Sequence, residues 1–259
     1  MAAALGAALL ACLLLGPGAD AFSIGGGLAA GYIRPSGSSS RVATHRPERP
    51  RISAGARLGA RGLRGNILEE DAEGVQPVLE RSRRWVDEFI VGLNICPFAK
   101  KPVVDKTVRY VVSDVVDCKA LIQDAWREAA KLLDSDPDEL VTTLLMAPKL
   151  ADGVDEFSSM GNWMEDYLED EDEPIFQGDL TIAVFHPEWT FDGYGDEDPV
   201  HFEKRSPYPT VSLLRRQELG AKVKEYMDKG ICLSEKIQVD NAKSLQGAGF
   251  EKLKKLLAP

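Results

Sequence analysis

The run Leu140 to Met146, LVTTLLM, narrows the possible folds of this chain more than any other stretch. It is almost continuously apolar and closed by Pro148, the pattern of a strand buried on both faces. A sheet carrying such a strand needs cover on each side, and helices supply it. Two further strands are expected. Thr107 to Ser113, TVRYVVS, is short and β-branched, and Leu180 to Phe185, LTIAVF, is a second apolar run. Helical periodicity lies between and around them. Val78, Leu79, Trp85, Val86, Phe89, Ile90 and Leu93 recur at three- and four-residue steps, predicting a helix over Val78 to Leu93 with Arg81, Arg83 and Arg84 toward water. Pro97 follows, and Ile95 to Phe98 is expected to leave that helix extended. Asp114 or Asp117 can cap the next helix, whose stripe is Leu121, Ile122, Trp126, Ala129, Ala130 and Leu133. A third helix is expected between Val154 and Leu168, ending in the acidic block Glu169 to Glu173. Thr210 to Met227 also reads as helical, with weaker signals from Ser234 to Leu257 interrupted by Gly247 and Gly249. The expectation is an α/β fold: a small, mainly parallel sheet of three or four strands with helices on both faces.

The stretch Leu180 to Arg216 is where such a fold would keep a site. A strand ends at His186-Pro187, an acidic glycine-bearing loop follows, and the chain returns through Arg205-Ser206-Pro207-Tyr208-Pro209. Connecting loops at a sheet edge can reach a ligand while the sheet holds them still. His186 can act as a general acid or base near neutral pH, or be a histidine satisfied by backbone hydrogen bonds. Arg205, on backbone stiffened by two prolines, can hold a carboxylate or phosphate, or bridge to the acids of Asp192 to Asp198. Ser206 and Tyr208 can donate to the same ligand or close the turn. Cys96 is a candidate thiol nucleophile or a small buried residue under Pro97. Its place beyond a helix C-terminus raises a thiol pKa rather than lowering it. His201, in the acidic loop, is expected to be exposed.

Other chemistries find no support. Neither Ser113-Asp114-Val115 nor Ala147-Pro148-Lys149 contains glycine, so no phosphate loop follows those strands and no nucleotide cofactor is implied. No Cys-x-x-Cys pair occurs, and the carboxylates of Asp152, Asp155 and Glu156 lack a calcium-loop spacing, so no metal is implied. Cys96, Cys118 and Cys232 are widely separated and fit reduced thiols.

Residues Ala2 to Leu15 are almost wholly apolar, and Ala19-Asp20-Ala21 offers a signal-peptidase site. Phe22 to Gly65 then carries Arg34, Arg41, Arg46, Arg49, Arg51, Arg57, Arg61 and Arg64 against the single acid Glu48. A secretory signal over 1–21, then a basic transit and linker region over 22–74, resembles the bipartite presequence of algae with secondary plastids. The localisation implied is the plastid stroma, with a secreted protein bearing a basic arm as the alternative. The domain expected over 75–259 is then more acidic than the net −10 of the whole chain. Such a field repels phosphate backbones and anionic lipid heads, so neither nucleic acid nor a membrane surface is an expected partner.

Trp85 to Ala99, WVDEFIVGLNICPFA, resembles the opening of the bacterial family known as domain of unknown function 1415. Phe185-His186-Pro187 with Phe191, then Arg205-Ser206-Pro207-Tyr208-Pro209 and Leu213-Leu214-Arg215, resemble its later motifs in the same order. The family pattern carries histidine where this chain has Ser212 and glutamate where it has Arg216, so neither side chain can be essential chemistry common to both. The resemblance spans about Val75 to Leu257 and implies no activity. Two function classes follow from the residues: an enzyme acting on a small anionic metabolite through Cys96, His186 and Arg205, or a non-catalytic binding or assembly module whose motifs are structural.

Overall fold

The computed structural model describes residues 66–168 and 179–258. The expected signal and transit segments lie outside the described residues, except for their last part, and so does the acidic block after Leu168. The segment from Asn66, expected as linker, is anchored: Ile67 bridges Ser113, and the Leu68 amide donates to the Val112 carbonyl at 2.8 Å.

The first helix, α1, runs Val75–Trp85 and continues as a wider π-helical stretch, Val86–Val91. Its buried stripe is Val75, Val78, Leu79, Ser82, Trp85, Val86, Phe89 and Ile90, close to the periodicity in the sequence. Gly92 closes it where the chain crowds itself, since a Cβ there would stand 2.3 Å from the Glu88 carbonyl oxygen. The segment expected to run extended instead turns tightly. The Ala99 amide donates to the Cys96 carbonyl at 3.1 Å, with Pro97 at the second turn position, where its fixed φ is favourable. A short helix, α2 (Lys100–Asp105), follows.

Strand β1 (Val108–Val112) leads to α3 (Cys118–Asp134), whose N-cap is Asp117, accepting from the Ala120 amide at 2.8 Å. Next come β2 (Thr142–Met146), α4 (Val154–Leu168) and β3 (Leu180–Phe185). A 3-10 helix, Pro199–Lys204, is capped by the Asp198 carboxylate and leads to β4 (Thr210–Arg215). The chain ends with α5 (Gln217–Asp228), α6 (Leu233–Ala248) and α7 (Phe250–Leu257), the last two separated at Gly249, whose φ is 78°. No helix among the described residues is long and apolar enough to cross a membrane.

The α/β class, the small sheet and the helices on both faces are as expected. The pairing is not mainly parallel. In the order β1-β2-β4-β3, β1 and β2 are parallel, while β4 runs antiparallel to both its neighbours. The cause is one misread segment: Thr210–Arg215 is a central strand, and the helix expected from Thr210 begins only at Gln217. Val211 and Leu213 face one side while Ser212 and Leu214 face the other, a period of two.

The first face of the sheet presents Val111, Leu145, Val211, Leu213, Ile182 and Val184 to α3 and α4. Gly161 of α4 permits close approach, because a Cβ there would lie 2.5 Å from a Val184 methyl. The second face packs Val112, Leu144 and Met146 under α1, with α6 and α7 beyond. Arg215 ties β4 to the end of α3. Its Nε donates to the Leu140 carbonyl at 2.9 Å, and its guanidinium also engages the carbonyls of Leu132 and Ser135.

Candidate functional site

The second face of the sheet carries a cavity of about 150 Å³, and the register explains why. Across one row, Tyr110 pairs with Leu144, Leu144 with Ser212, and Ser212 with Ala183. Side chains shrink along that row, so the β4-β3 side is left hollow where α1 no longer fills it. Ser212, Ala183 and Thr181 form the floor. Trp85, Val86 and Ile90 of α1 form one wall, the Cys96-Pro97-Phe98 turn another, and Glu203, Lys204 and Asn241 a third. The π-helical stretch therefore borders the cavity, and such irregular turns occur frequently at functional sites.

Most of the lining is carbon, so the few polar groups stand out. Lys204 is 7% exposed, and Glu203 8%. Burial pushes the Lys204 ammonium pKa down, against the fields of Glu165 and Glu203. Its Nζ makes no hydrogen bond or ion pair among the described residues. It lies instead 5.4 Å from the Phe185 ring centroid and 5.8 Å from that of Trp189. Burial raises the Glu203 pKa, opposed by the Asn241 amide, which donates to it at 2.9 Å, and by Lys204. Cys96 lines the same space. Burial pushes its thiol up, while the amides of Phe98 and Ala99 pull it down, so it rests protonated.

Of the residues assigned a candidate catalytic or binding role from the sequence, Cys96 alone lines this cavity. His186 is buried with its ring 5.4 Å from Phe157 in the first-face core, and its Nδ1 accepts from the Glu188 amide at 3.2 Å. Arg205 is bound elsewhere: Nε donates to the Trp189 carbonyl at 2.8 Å, and the guanidinium lies 5.0 Å from the centre of Phe202, a second-face core residue. The two share backbone proximity, since the His186 amide donates to the Lys204 carbonyl at 3.0 Å, while the His186 ring lies beside Phe157 and the Arg205 guanidinium beside Phe202. Ser206 donates to the Tyr208 carbonyl at 2.6 Å and Thr210 does so at 2.7 Å, closing the turn. The Tyr208 ring lies under Arg81.

Two expectations of exposure are corrected. His201 is 1% exposed. Its Nδ1 accepts from the Phe191 amide, and its Nε2 donates to the Gly195 carbonyl at 2.8 Å, so it holds the acidic loop shut. Arg81 does not simply face water; with Arg84 it binds the carbonyls at the end of α7, the unsatisfied groups every helix C-terminus leaves.

The residues missed were Glu203, Lys204 and Asn241. The first two read as part of a charged loop. The signal that could have found them is Asp198-Pro199, a capping residue before a proline at the first helical position, which starts a short helix and turns the following charges inward. Cys96, Cys118 and Cys232 form no disulfide among the described residues. Cys118 is pushed up to about 12 by burial and by Asp152. Among the described residues no three His, Cys, Asp or Glu side chains are grouped to hold a metal ion.

Neither the curated proteins nor the solved structures include a match to this chain. The family model described as a protein of unknown function, DUF1415, matches residues 77–255, and that span contains the cavity walls Trp85, Cys96, Lys204 and Asn241 together with the motifs that carried the family resemblance. With well over half its length matched, the chain belongs to the DUF1415 family.

Proposed function

We propose that this domain binds a compact, largely apolar metabolite carrying one acidic group, held in the second-face cavity by the ammonium of Lys204. The observation that carries this reading is a buried cation with no anion in contact among the described residues, set in the wall of an otherwise carbon-lined space. An ammonium so placed is costly to the fold, and a ligand carboxylate offsets that cost. An apolar cavity of about this volume accommodates a molecule near the size of benzene, which sets the ligand body at a single ring or a short branched chain.

Of Cys96, His186 and Arg205 only Cys96 lines the cavity, which favours the binding class over an enzyme built from those three residues. Thermal-shift titration with benzoate, isovalerate and their uncharged amides tests the reading. The acids should raise the melting temperature, as ligands selective for the folded state do, and Lys204→Met should abolish the shift. Equal shifts from acids and amides would overturn it. Under the same reading the protein works in the plastid stroma, supported by the apolar run before Ala19-Asp20-Ala21 and the arginine-rich tract after it. N-terminal sequencing of native protein decides this, and a mature start at Phe22 in secreted material would refute it.

A further inference from the structure

Resting on the cavity reading, we propose that the ligand is a zwitterion with an apolar body, of the α-amino acid class, its carboxylate taken by Lys204 and its ammonium by Glu203 and Asn241. The geometry that points there is a pair of buried opposite charges in one cavity that do not pair with each other. Glu203 and Lys204 are adjacent in the 3-10 helix, where successive side chains diverge by about a third of a turn. Glu203 is turned to α6, where Asn241 Nδ2 donates to its Oε1 at 2.9 Å. Lys204 is turned to the β3 edge, in front of Phe185 and Trp189. Both line the cavity, and both are more than nine-tenths buried.

Left to themselves, two such charges in a low-dielectric space would close on one another, since attraction between them is the main return for losing water. Asn241 holds the carboxylate back, and the two rings hold the ammonium. The other Glu203 oxygen and the Asn241 carbonyl have no donor among the described residues. Among the described residues, side chains that line the cavity thus leave two acceptors, on Glu203 and Asn241, and the three N–H donors of Lys204. An acid satisfies only the lysine. A ligand with both an ammonium and a carboxylate satisfies both sides, and the carbon walls of Trp85, Ile90 and Ile237 select an aliphatic or aromatic remainder.

The test is a matched set on the full chain by isothermal titration: L-leucine, 4-methylpentanoate, which lacks the amine, and 3-methylbutylamine, which lacks the carboxylate. L-Leucine should bind at least tenfold tighter than either partial analogue. Glu203→Gln should remove the advantage over 4-methylpentanoate while leaving 4-methylpentanoate bound. If wild-type protein takes 4-methylpentanoate as tightly as leucine, the zwitterion is wrong and the acid-binding role of Lys204 stands. Binding of the amine alone, or of none of the three, overturns both.

Discussion

Replacing Lys204 with methionine should make the protein more stable while removing its affinity for acids. Lys204 is 7% exposed, and its Nζ has no acceptor in contact among the described residues. Burying an ammonium costs several kcal/mol even after relaxation. Set against this are two ring contacts, at 5.4 and 5.8 Å, each contributing roughly 0.5 to 2 kcal/mol, and the more distant Glu165 and Glu203. Methionine keeps the length of the stem, so its packing cost is small. The balance favours Lys204→Met by about 1 to 2 kcal/mol at pH 7, read as a higher urea midpoint at unchanged slope.

The pH dependence has a definite sign. Burial holds the folded-state pKa of Lys204 below 10.5, so between that lowered value and 10.5 the unfolded chain binds more protons, and wild-type stability rises with pH there. The advantage of Lys204→Met is therefore full below the folded pKa and fades as pH rises toward 10.5. A variant that loses 1 kcal/mol or more at pH 7, with a difference independent of pH, would refute the reasoning and make Lys204 a structural residue.

Gly161→Ala should cost on the order of 1 kcal/mol, because overpacking against the stiff Val184 side chain outweighs a helix-propensity gain of about 1 kcal/mol. Val184→Ala in the same chain should recover part of that loss, and strictly additive urea midpoints would sink the contact. Arg215→Met removes the side-chain donor of three carbonyls at the end of α3 and before β2 and should cost about 3 kcal/mol, with hydrogen exchange fastest in the last turn of α3; a loss confined elsewhere would argue against the tie. His186 is held below its usual 6.5 by burial, with Glu188 opposing. The unfolded chain takes the proton first, so stability should fall as pH drops through 6.5. His186→Gln should flatten that fall, and parallel profiles for the two proteins would acquit the imidazole.

The fold was legible where one periodicity dominated. Val154–Leu168 and Leu180–Phe185 have the ends the sequence assigns them, and Asp117 is the cap of α3. The error at Thr210–Arg215 has a physical source. Leu213-Leu214 followed by two arginines mimics the edge of an amphipathic helix, and only pairing with β2 and β3 decides for a strand. Of the candidate residues read from the sequence, Cys96 is the one that lines the cavity. A buried histidine that packs and one that reacts carry the same letter, and His186 Nδ1 and Arg205 Nε each bond nearby backbone. The cavity depends on a cross-strand row of shrinking side chains, which no single segment reveals; Ser212, notable beforehand as a departure from the family pattern, is its floor.

The position of β4 between β2 and β3 fixes the order in which this chain can be built. A nascent chain emerged only as far as Pro209 holds a two-stranded parallel ribbon and a lone third strand with no edge to join. Such a ribbon is marginal in water by itself. The strand that unites them arrives late in synthesis and must close loops reaching back to Thr142 on one side and Leu180 on the other, which makes assembly non-local and slow. Until then the apolar faces of Leu144, Leu145 and Ile182 stand open to a chaperone or to a neighbouring copy. This domain consequently commits to its shape only after synthesis has passed Arg215, and a break in the chain ahead of Thr210 puts the central strand on a different piece from the two strands it unites.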